Sequence, residues 1–326
     1  MQQKPYLTWI GLTLTLIGAG ISFSGLLPYA VALFPLVAYF LIARDFSRFT
    51  GQFQSVALLL SALITGALLG GENVFNVIML SASMLFIALS TYGRMIFFTT
   101  FRYINYSWLE PVLIAVALLL YVIGNININN VWSWIIPAPA FLFAGIIIKG
   151  IFADRKQLKP SQLKGYKVAT GSEAPDFELP DENGNLVQLS SFKGQRHLLV
   201  VFVRGDWCPG CHMMLRAYQR ESERLKQKNI HVLSVGPDPA GVNRDMVQRL
   251  GLSFHVLSDE GQRTAMRYGV QMQEYDNDFA DKYEEGIPLP ASFLIDMNGK
   301  VLYVSRPDKV GEFLNPELIF PIIDKL

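Results

Sequence analysis

Cys208 and Cys211 are the only cysteines in the chain, and Pro209 and Gly210 separate them. A thiol reacts as its thiolate, and an ordinary cysteine with a pKa of about 8.5 is mostly protonated at neutral pH. Two thiols three positions apart allow one to attack a disulfide and the other to resolve the mixed disulfide within a single loop. A lone pair at this spacing is a redox or metal motif and not a structural disulfide framework. A zinc site takes about four ligands, and the chain has no second pair to complete one. Cys208 to His212 also spells the c-type haem attachment pattern. That reading needs the non-cytoplasmic side, and these cysteines instead join a strand to a helix. Thiol redox chemistry with neither cofactor nor metal is therefore the expectation.

The flanking residues set how the pair is held. His197 to Val203 is an apolar run bounded by polar residues, the pattern of a buried strand. It leads through Arg204, Gly205, Asp206 and Trp207 into Cys208, after which Met213 to Lys228 has helical spacing. Cys208 then sits where backbone N–H groups lack intrahelical partners and the helix dipole is positive. Pro209 suits the first turn, where its missing N–H is no loss. Cys211 lies one turn deeper, so Cys208 is expected to attack and Cys211 to resolve. With a peroxide, Cys208 becomes a sulfenic acid and Cys211 condenses with it. Arg204 can add positive charge near the thiolate and Trp207 can cover it. Asp206 reads as a turn residue and His212 as exposed on the first helical turn. His197, His231 and His255 read as structural. Asp276, Asn277, Asp278, Asp281, Glu284 and Glu285 lack the spacing of a calcium loop and read as a solvated insertion.

Further elements surround this unit. Ile230–Val235 and Phe254–Leu257 read as strands, and Arg244–Leu250 and Gln262–Tyr268 as helices. Ser292–Asp296 and Lys300–Val304 form a hairpin across an Asn298-Gly299 turn, and Pro316–Leu326 closes as a helix. Strands and helices alternating around a strand–CxxC–helix unit form the thioredoxin arrangement. The residues Ala174-Pro175-Asp176-Phe177, Gly184, Leu189 to Gly194, Val201 to Cys211, Val256 to Asp259, Tyr268-Gly269-Val270 and Leu289 to Asp296 occur in the order of a known family. From about Gly171 to the C-terminus the chain resembles the alkyl hydroperoxide reductase/thiol-specific antioxidant (AhpC/TSA) family, in its peroxiredoxin-like branch.

That resemblance implies an antioxidant oxidoreductase, with two departures. A typical peroxiredoxin has a Pro and a Thr seven and three residues before its peroxidatic cysteine, where this chain has Val201 and Gly205. The Arg expected before the later strand is replaced by Pro290, which resembles the cis-proline of thioredoxin-like enzymes. The resemblance thus implies a cis bond at Pro290, packed on the cysteines. Both departures favour dithiol–disulfide exchange, with hydroperoxide reduction as the alternative. The implied partners are a thioredoxin or glutathione electron donor and a disulfide or hydroperoxide substrate.

The N-terminal half is of another kind. The chain has 326 residues and a net charge of +1, which signals no nucleic-acid partner. From Leu7 to Ile148 it is apolar and almost uncharged. A membrane-spanning helix takes about 20 apolar residues, with a range of about 17–25. Six segments qualify: Leu7–Ser24, Leu26–Ala43, Phe53–Gly70, Asn73–Ser90, Trp108–Ile123 and Val131–Ile148. No ionisable residue falls within the apolar core of these spans, which favours an anchor in lipid over a transporter carrying a redox sensor. Leu7–Ser24 has a rival reading as a cleaved signal peptide, opposed by the apolar span that follows at once. The expected architecture is an all-α polytopic membrane domain (1–150), a linker (151–170) and an α/β thioredoxin-fold domain (171–326).

Lys4, Arg44, Arg48, Arg94, Arg102, Lys149, Arg155, Lys156 and Lys159 all fall at alternate ends of the six segments. Positive residues favour the cytoplasmic side, so both termini and the cysteine domain are expected in the cytoplasm of a cell membrane. A membrane-impermeant maleimide, applied after a reductant, should label the chain only in permeabilised cells. Strong labelling of intact cells would put the domain outside.

Overall fold

The computed structural model describes residues 4–22, 28–96, 108–273, 283–305 and 319–325. Two compact units divide the chain, Lys4–Ala153 and Asp154–Leu326. Arg102, the turn at 25–27, the acidic run 276–281 and the start of the helix expected from Pro316 lie outside the described residues.

In the first unit, α1 (Tyr6–Ser22), α2 (Pro28–Phe49), α3 (Gln52–Gly70), α4 (Val74–Ile96) and α5 (Leu109–Asn125) pack each on the next. They bury Tyr39, Ile42, Phe46, Leu58, Leu80 and Ile87 in one cluster. Short α6 (Val131–Ile135) and long α7 (Ala138–Lys164) follow. Among the described residues four stretches are long and apolar enough to cross a membrane: Tyr29–Phe49, Gln52–Gly70, Val74–Ile96 and Val131–Gln157. Two of the six expected spans correspond to α1 and α5, which have only 17 residues each. The sixth is interrupted between Ile135 and Ala138, where Pro137 has no N–H for a helical bond. The expected linker, 151–170, is helical in its first part. Its Lys- and Gln-rich composition is compatible with helix, and α7 runs on to Lys164, after which Gly165 has φ +70°.

Two acidic residues near helix ends are buried. Asp45 accepts the Thr8 N–H (2.7 Å) and hydroxyl (2.9 Å), joining α1 to α2. Glu110, in the first turn of α5, pairs with Arg94 near the end of α4.

The second unit is built on a five-stranded sheet. Its strands are β3 (His197–Phe202), β4 (Ile230–Gly236), β5 (His255–Ser258), β8 (Ala291–Ile295) and β9 (Val301–Val304), in the order β5-β4-β3-β8-β9. β3 runs parallel to β4 and β4 to β5, whereas β8 is antiparallel to both β3 and β9. Side chains alternate across a strand. In β3, Leu198, Val200 and Phe202 enter one buried cluster and Leu199 and Val201 the other. A central strand covered on both faces reads as a continuous apolar run for this reason. The parallel connections are α8 (Pro209–Arg220) with α9 (Ser222–Gln227), then α10 (Ala240–Leu250). Helix α11 (Arg263–Tyr268) follows β5, and α12 (Phe320–Ile323) lies near the C-terminus. The cysteines belong to the cluster beneath α8. This is the thioredoxin arrangement, beside an all-helical N-terminal half.

The helix expected over Met213–Lys228 is two helices. It starts earlier, at Pro209, and breaks at Glu221, whose φ and ψ of −91° and 5° leave the helical region. Two small antiparallel pairs were not legible in the sequence: β1 (Glu178–Pro180) with β2 (Leu186–Gln188), and β6 (Gln271–Met272) with β7 (Ile287–Pro288).

At Gly66 two helices of the first unit come close together. A Cβ there would meet the backbone of Leu80 and Ser81 on α4. Gly66→Val should therefore force α3 from α4 and destabilise the bundle by about 1–3 kcal/mol, the usual range for overpacking. Thermal unfolding in detergent should show a lowered Tm, and an unchanged Tm would mean that the helices are not this close.

Candidate active site

Strand β3 delivers the cysteines. The Val203 N–H still bonds the Val235 carbonyl at 2.9 Å, continuing the ladder, and the chain then turns through Gly205. Gly205 has φ +124°, a region L side chains rarely adopt. A Cβ there would also strike the Tyr283 hydroxyl and the Asp238 carboxylate. The Cys208 N–H closes the turn on the Gly205 carbonyl at 3.2 Å.

Cys208 is the N-cap of α8, with Pro209 in its first turn. The Cys208 Sγ accepts the Cys211 N–H at 3.2 Å, and the two Sγ atoms are 2.7 Å apart. The Arg204 N–H points at the Cys211 Sγ at 3.5 Å. Both thiols are buried and free. Burial raises the Cys208 pKa, but the Cys211 thiol, the Arg204 charge, the Cys211 N–H and His212 together bring it down to about 5. Cys211 is pushed the other way by burial and by the adjacent Cys208.

The supporting residues hold the turn. The Trp207 Nε1–H donates to the Arg204 carbonyl at 3.1 Å, and the Arg204 guanidinium lies over the Trp207 ring, 5.2 Å from its centroid. Arg204 Nη1 also donates to Asp154 Oδ1 at 2.7 Å. Pro290 is buried one residue before the Ala291–Phe202 pair, at the end of the sheet from which the cysteines emerge. The expected cis bond is corrected, because there is no cis peptide among the described residues. The chain reaches β8 already extended, with Ile287–Pro288 paired to Gln271–Met272 and the Leu289 N–H on the Val270 carbonyl. No reversal is needed at Pro290, and trans is the ordinary X–Pro state.

Two further expectations fail. His212 is not exposed but 1% accessible, and Asp206 is more than a turn residue. His212 Nε2 lies 3.1 Å from Asp206 Oδ1, and Arg249 of α10 donates to the same oxygen. The Asp206 N–H bonds Asp238 Oδ2 at 2.6 Å, and the Tyr283 hydroxyl donates to Asp238 Oδ1 at 2.6 Å. Burial raises the Asp206 pKa, yet His212 and Arg249 outweigh it and keep the carboxyl below its usual range. The one signal available in the sequence was the placement of Asp206 and His212 two before and four after Cys208.

The other histidines lie on the sheet. The His231 ring stacks on Phe192, and His255 Nδ1 lies 3.1 Å from Glu182 Oε1 and 3.6 Å from Asp181 Oδ2. Asp181, Glu182 and His255 bring three potential metal-ligand atoms within 4.8 Å. Their oxygens already serve the protein: Asp181 Oδ1 accepts the Asn183 and Asn185 N–H groups, and Glu182 Oε2 accepts that of Val256. The group pins the loop between β1 and β2 to edge strand β5.

Gly205→Thr, which restores the residue typical of peroxiredoxins, should destabilise the fold by about 1–3 kcal/mol, as residues held in disfavoured backbone regions do. Denaturant unfolding measures this. A variant as stable as the parent would show that the turn tolerates a side chain.

A profile of the AhpC/TSA family matches residues 170–304. Peroxiredoxin Bcp of Escherichia coli (strain K12) is 36% identical over 138 residues, covering 42% of this chain and 85% of that protein. The chloroplastic peroxiredoxin Q of Oryza sativa subsp. japonica is 33% identical over 153 residues, covering 45% of this chain and 66% of the rice protein, just under two thirds of its length. The thiol-disulfide oxidoreductase ResA of Bacillus anthracis is 29% identical over 157 residues, covering 48% of this chain and 75% of its own. The resemblance read from the motifs is thereby borne out. The chain belongs to the AhpC/TSA family through its C-terminal unit.

Proposed function

We propose that the chain is a membrane-tethered thiol–disulfide oxidoreductase in which Cys208 attacks and Cys211 resolves. The observation that carries this reading is Cys208 at the start of α8, its Sγ accepting the Cys211 N–H with the Cys211 Sγ 2.7 Å away. The Cys208 thiolate attacks one sulfur of a substrate disulfide, forming a mixed disulfide and releasing the first substrate thiolate. Cys211 then loses its proton and attacks the Cys208 Sγ, releasing the second. The substrate gains two electrons and two protons, one proton from Cys211 and one from water, and the enzyme is left with a Cys208–Cys211 disulfide. A thiol donor, either a dithiol of the thioredoxin type or two molecules of glutathione, returns it to the reduced state.

The relatives named peroxiredoxin support a second reading. In it Cys208 attacks a hydroperoxide, the O–O bond breaks, an alcohol leaves and Cys208 becomes a sulfenic acid. Cys211 then displaces water to form the same disulfide. Gly205, in place of the Thr typical of peroxiredoxins, favours the first reading.

The four long apolar stretches support insertion in lipid, and the alternating basic residues support a cytoplasmic site in a cell membrane. The helical half serves as anchor in this reading.

Cys208→Ser should abolish disulfide and peroxide turnover, measured with thioredoxin and glutathione systems against insulin and several hydroperoxides. Cys211→Ser should accumulate mixed disulfides with protein partners, visible on non-reducing gels. Full activity in Cys208→Ser would end the assignment. Turnover of hydroperoxides without insulin disulfides would select the second reading.

A further inference from the structure

Arg204 serves the cysteine turn twice, through its backbone and through its side chain. Its N–H points at the Cys211 Sγ at 3.5 Å and its carbonyl accepts the Trp207 Nε1–H at 3.1 Å, so the backbone is fixed within the turn. Its guanidinium carries a charge that acts on both sulfurs. A long side chain has many rotamers and keeps its charge in one place only when its end is held. The Trp207 ring, with its centroid 5.2 Å from the guanidinium, attracts the cation over its face without a directed bond. A carboxylate does more, because it fixes the planar guanidinium through directed N–H···O bonds. Arg204 Nη1 donates such a bond to Asp154 Oδ1 at 2.7 Å. The two side chains are 13% and 28% exposed, so water and salt screen the pair less than an ion pair on the surface. Asp154 lies in the later part of α7, before the family match begins at residue 170, yet in the same compact unit as the cysteines.

We propose that Asp154 is a positioning residue of the dithiol site, whose carboxylate holds the Arg204 guanidinium so that its charge stays on the cysteine pair. This rests on Cys208 being the attacking thiol. Asp154 makes and breaks no covalent bond, and no proton or electron passes through it. It acts on the sulfur through Arg204, and α7 thereby contributes to the electrostatics of the site.

Two effects oppose each other when Asp154 is replaced. Loss of the carboxylate removes a negative charge, which by itself favours the thiolate. Release of Arg204 withdraws a positive charge from the sulfurs, which disfavours it. Arg204 is among the strongest influences on Cys208 and on Cys211, and Asp154 is not, so the second effect wins. The other titratable and charged groups around the pair keep their own partners. His212 faces Asp206, Arg249 from α10 donates to that same carboxylate, and Asp238 holds the Asp206 N–H and the Tyr283 hydroxyl.

The test reads ionisation and not activity alone. In the full chain carrying Cys211→Ser, Cys208 is the one thiol left, and its thiolate is titrated by ultraviolet absorbance and by the rate of alkylation with iodoacetamide. Adding Asp154→Asn should raise the midpoint by about half a pH unit or more. Alkylation should slow about threefold or more at a pH below both midpoints, because one unit is tenfold in thiolate. Asp154→Glu, which keeps the carboxylate, should return the midpoint toward that of the parent. In a chain that also carries Arg204→Gln, Asp154→Asn should give no further rise, because the two residues act as one unit. A midpoint that Asp154→Asn leaves unchanged or lowers, or raises equally with and without Arg204, would overturn the proposal. A second measurement needs no substitution at Asp154. Nitrogen NMR of labelled arginine in the parent chain should show hindered rotation of the Arg204 guanidinium, assigned by its loss in Arg204→Gln. A freely rotating guanidinium would also overturn the proposal. Mass mapping of the alkyl label separates this from the underlying assignment. In the parent chain, label on Cys211 rejects Cys208 as the attacker, whereas label on Cys208 with an unchanged Asp154→Asn rate rejects only the role of Asp154.

Discussion

A buried anion is the constraint around which the catalytic unit is arranged. Cys208 is 2% exposed, and burial by itself would keep its thiol protonated and inert. The chain offsets this with the first turn of α8, whose N–H groups have no carbonyl to bond within the helix. One of them, from Cys211, reaches the Cys208 Sγ. Arg204 and the Cys211 thiol add to it, and the pair becomes unequal: Cys208 is held down and Cys211 held up. That inequality suits a two-step exchange. In the proposed exchange Cys208, with the lowered pKa, supplies the attacking thiolate. The second sulfur stays protonated until the mixed disulfide exists.

The rest of the unit fixes the turn that places Cys208 at a helix start. Strand β3 is central, with Val201 paired to Ser234 on one side and to Ser292 on the other. A proline there, as in typical peroxiredoxins, would remove a ladder donor from a central strand. Val201 and Gly205 therefore belong together, the first completing the strand and the second allowing the sharp exit from it. The side-chain space forgone at Gly205 is filled by Tyr283 and Asp238, which tie the turn to the segment entering β7 and to the loop after β4. A site that resembles the peroxiredoxin segment in order thus has a backbone that does not accept the usual threonine.

How much of this could be read from the residues followed the range of the interactions. β3, β4 and the β8–β9 hairpin were legible because alternation, apolar runs and an Asn-Gly turn are local signals. The helix start at the cysteines was legible for the same reason. Asp206 and His212 were misread because their partner, Arg249, is remote in sequence and comes from α10. Burial of His212 depends on that packing and not on the composition of α8. The extended approach to Pro290 depends on the β6–β7 pair, two residues long in each strand and too short to show a period. In the helical half, the apolar stretches were visible by composition. Buried Asp45 and Glu110 could not be seen, since Thr8 and Arg94 satisfy them from neighbouring helices.

The lowered Cys208 pKa also bears on the direction of electron flow. A thiol whose folded pKa falls below its unfolded value adds stability that is fully present above the unfolded pKa, about 8.5, and lost as pH falls through the folded one, about 5. At neutral pH most of that contribution is present, and it belongs only to the reduced protein, because the disulfide has no thiolate to stabilise. Stabilising the reduced form makes the disulfide the stronger oxidant, as for other CxxC proteins with depressed thiol pKa values. In a compartment rich in glutathione such a pair rests reduced, and it passes electrons readily only to acceptors of higher potential. Hydroperoxides and strained disulfides meet that condition, whereas well-buried structural disulfides of low potential do not. In the proposed exchange the electrostatics that lower the Cys208 pKa thus favour acceptors of higher potential, whichever class of acceptor the site receives.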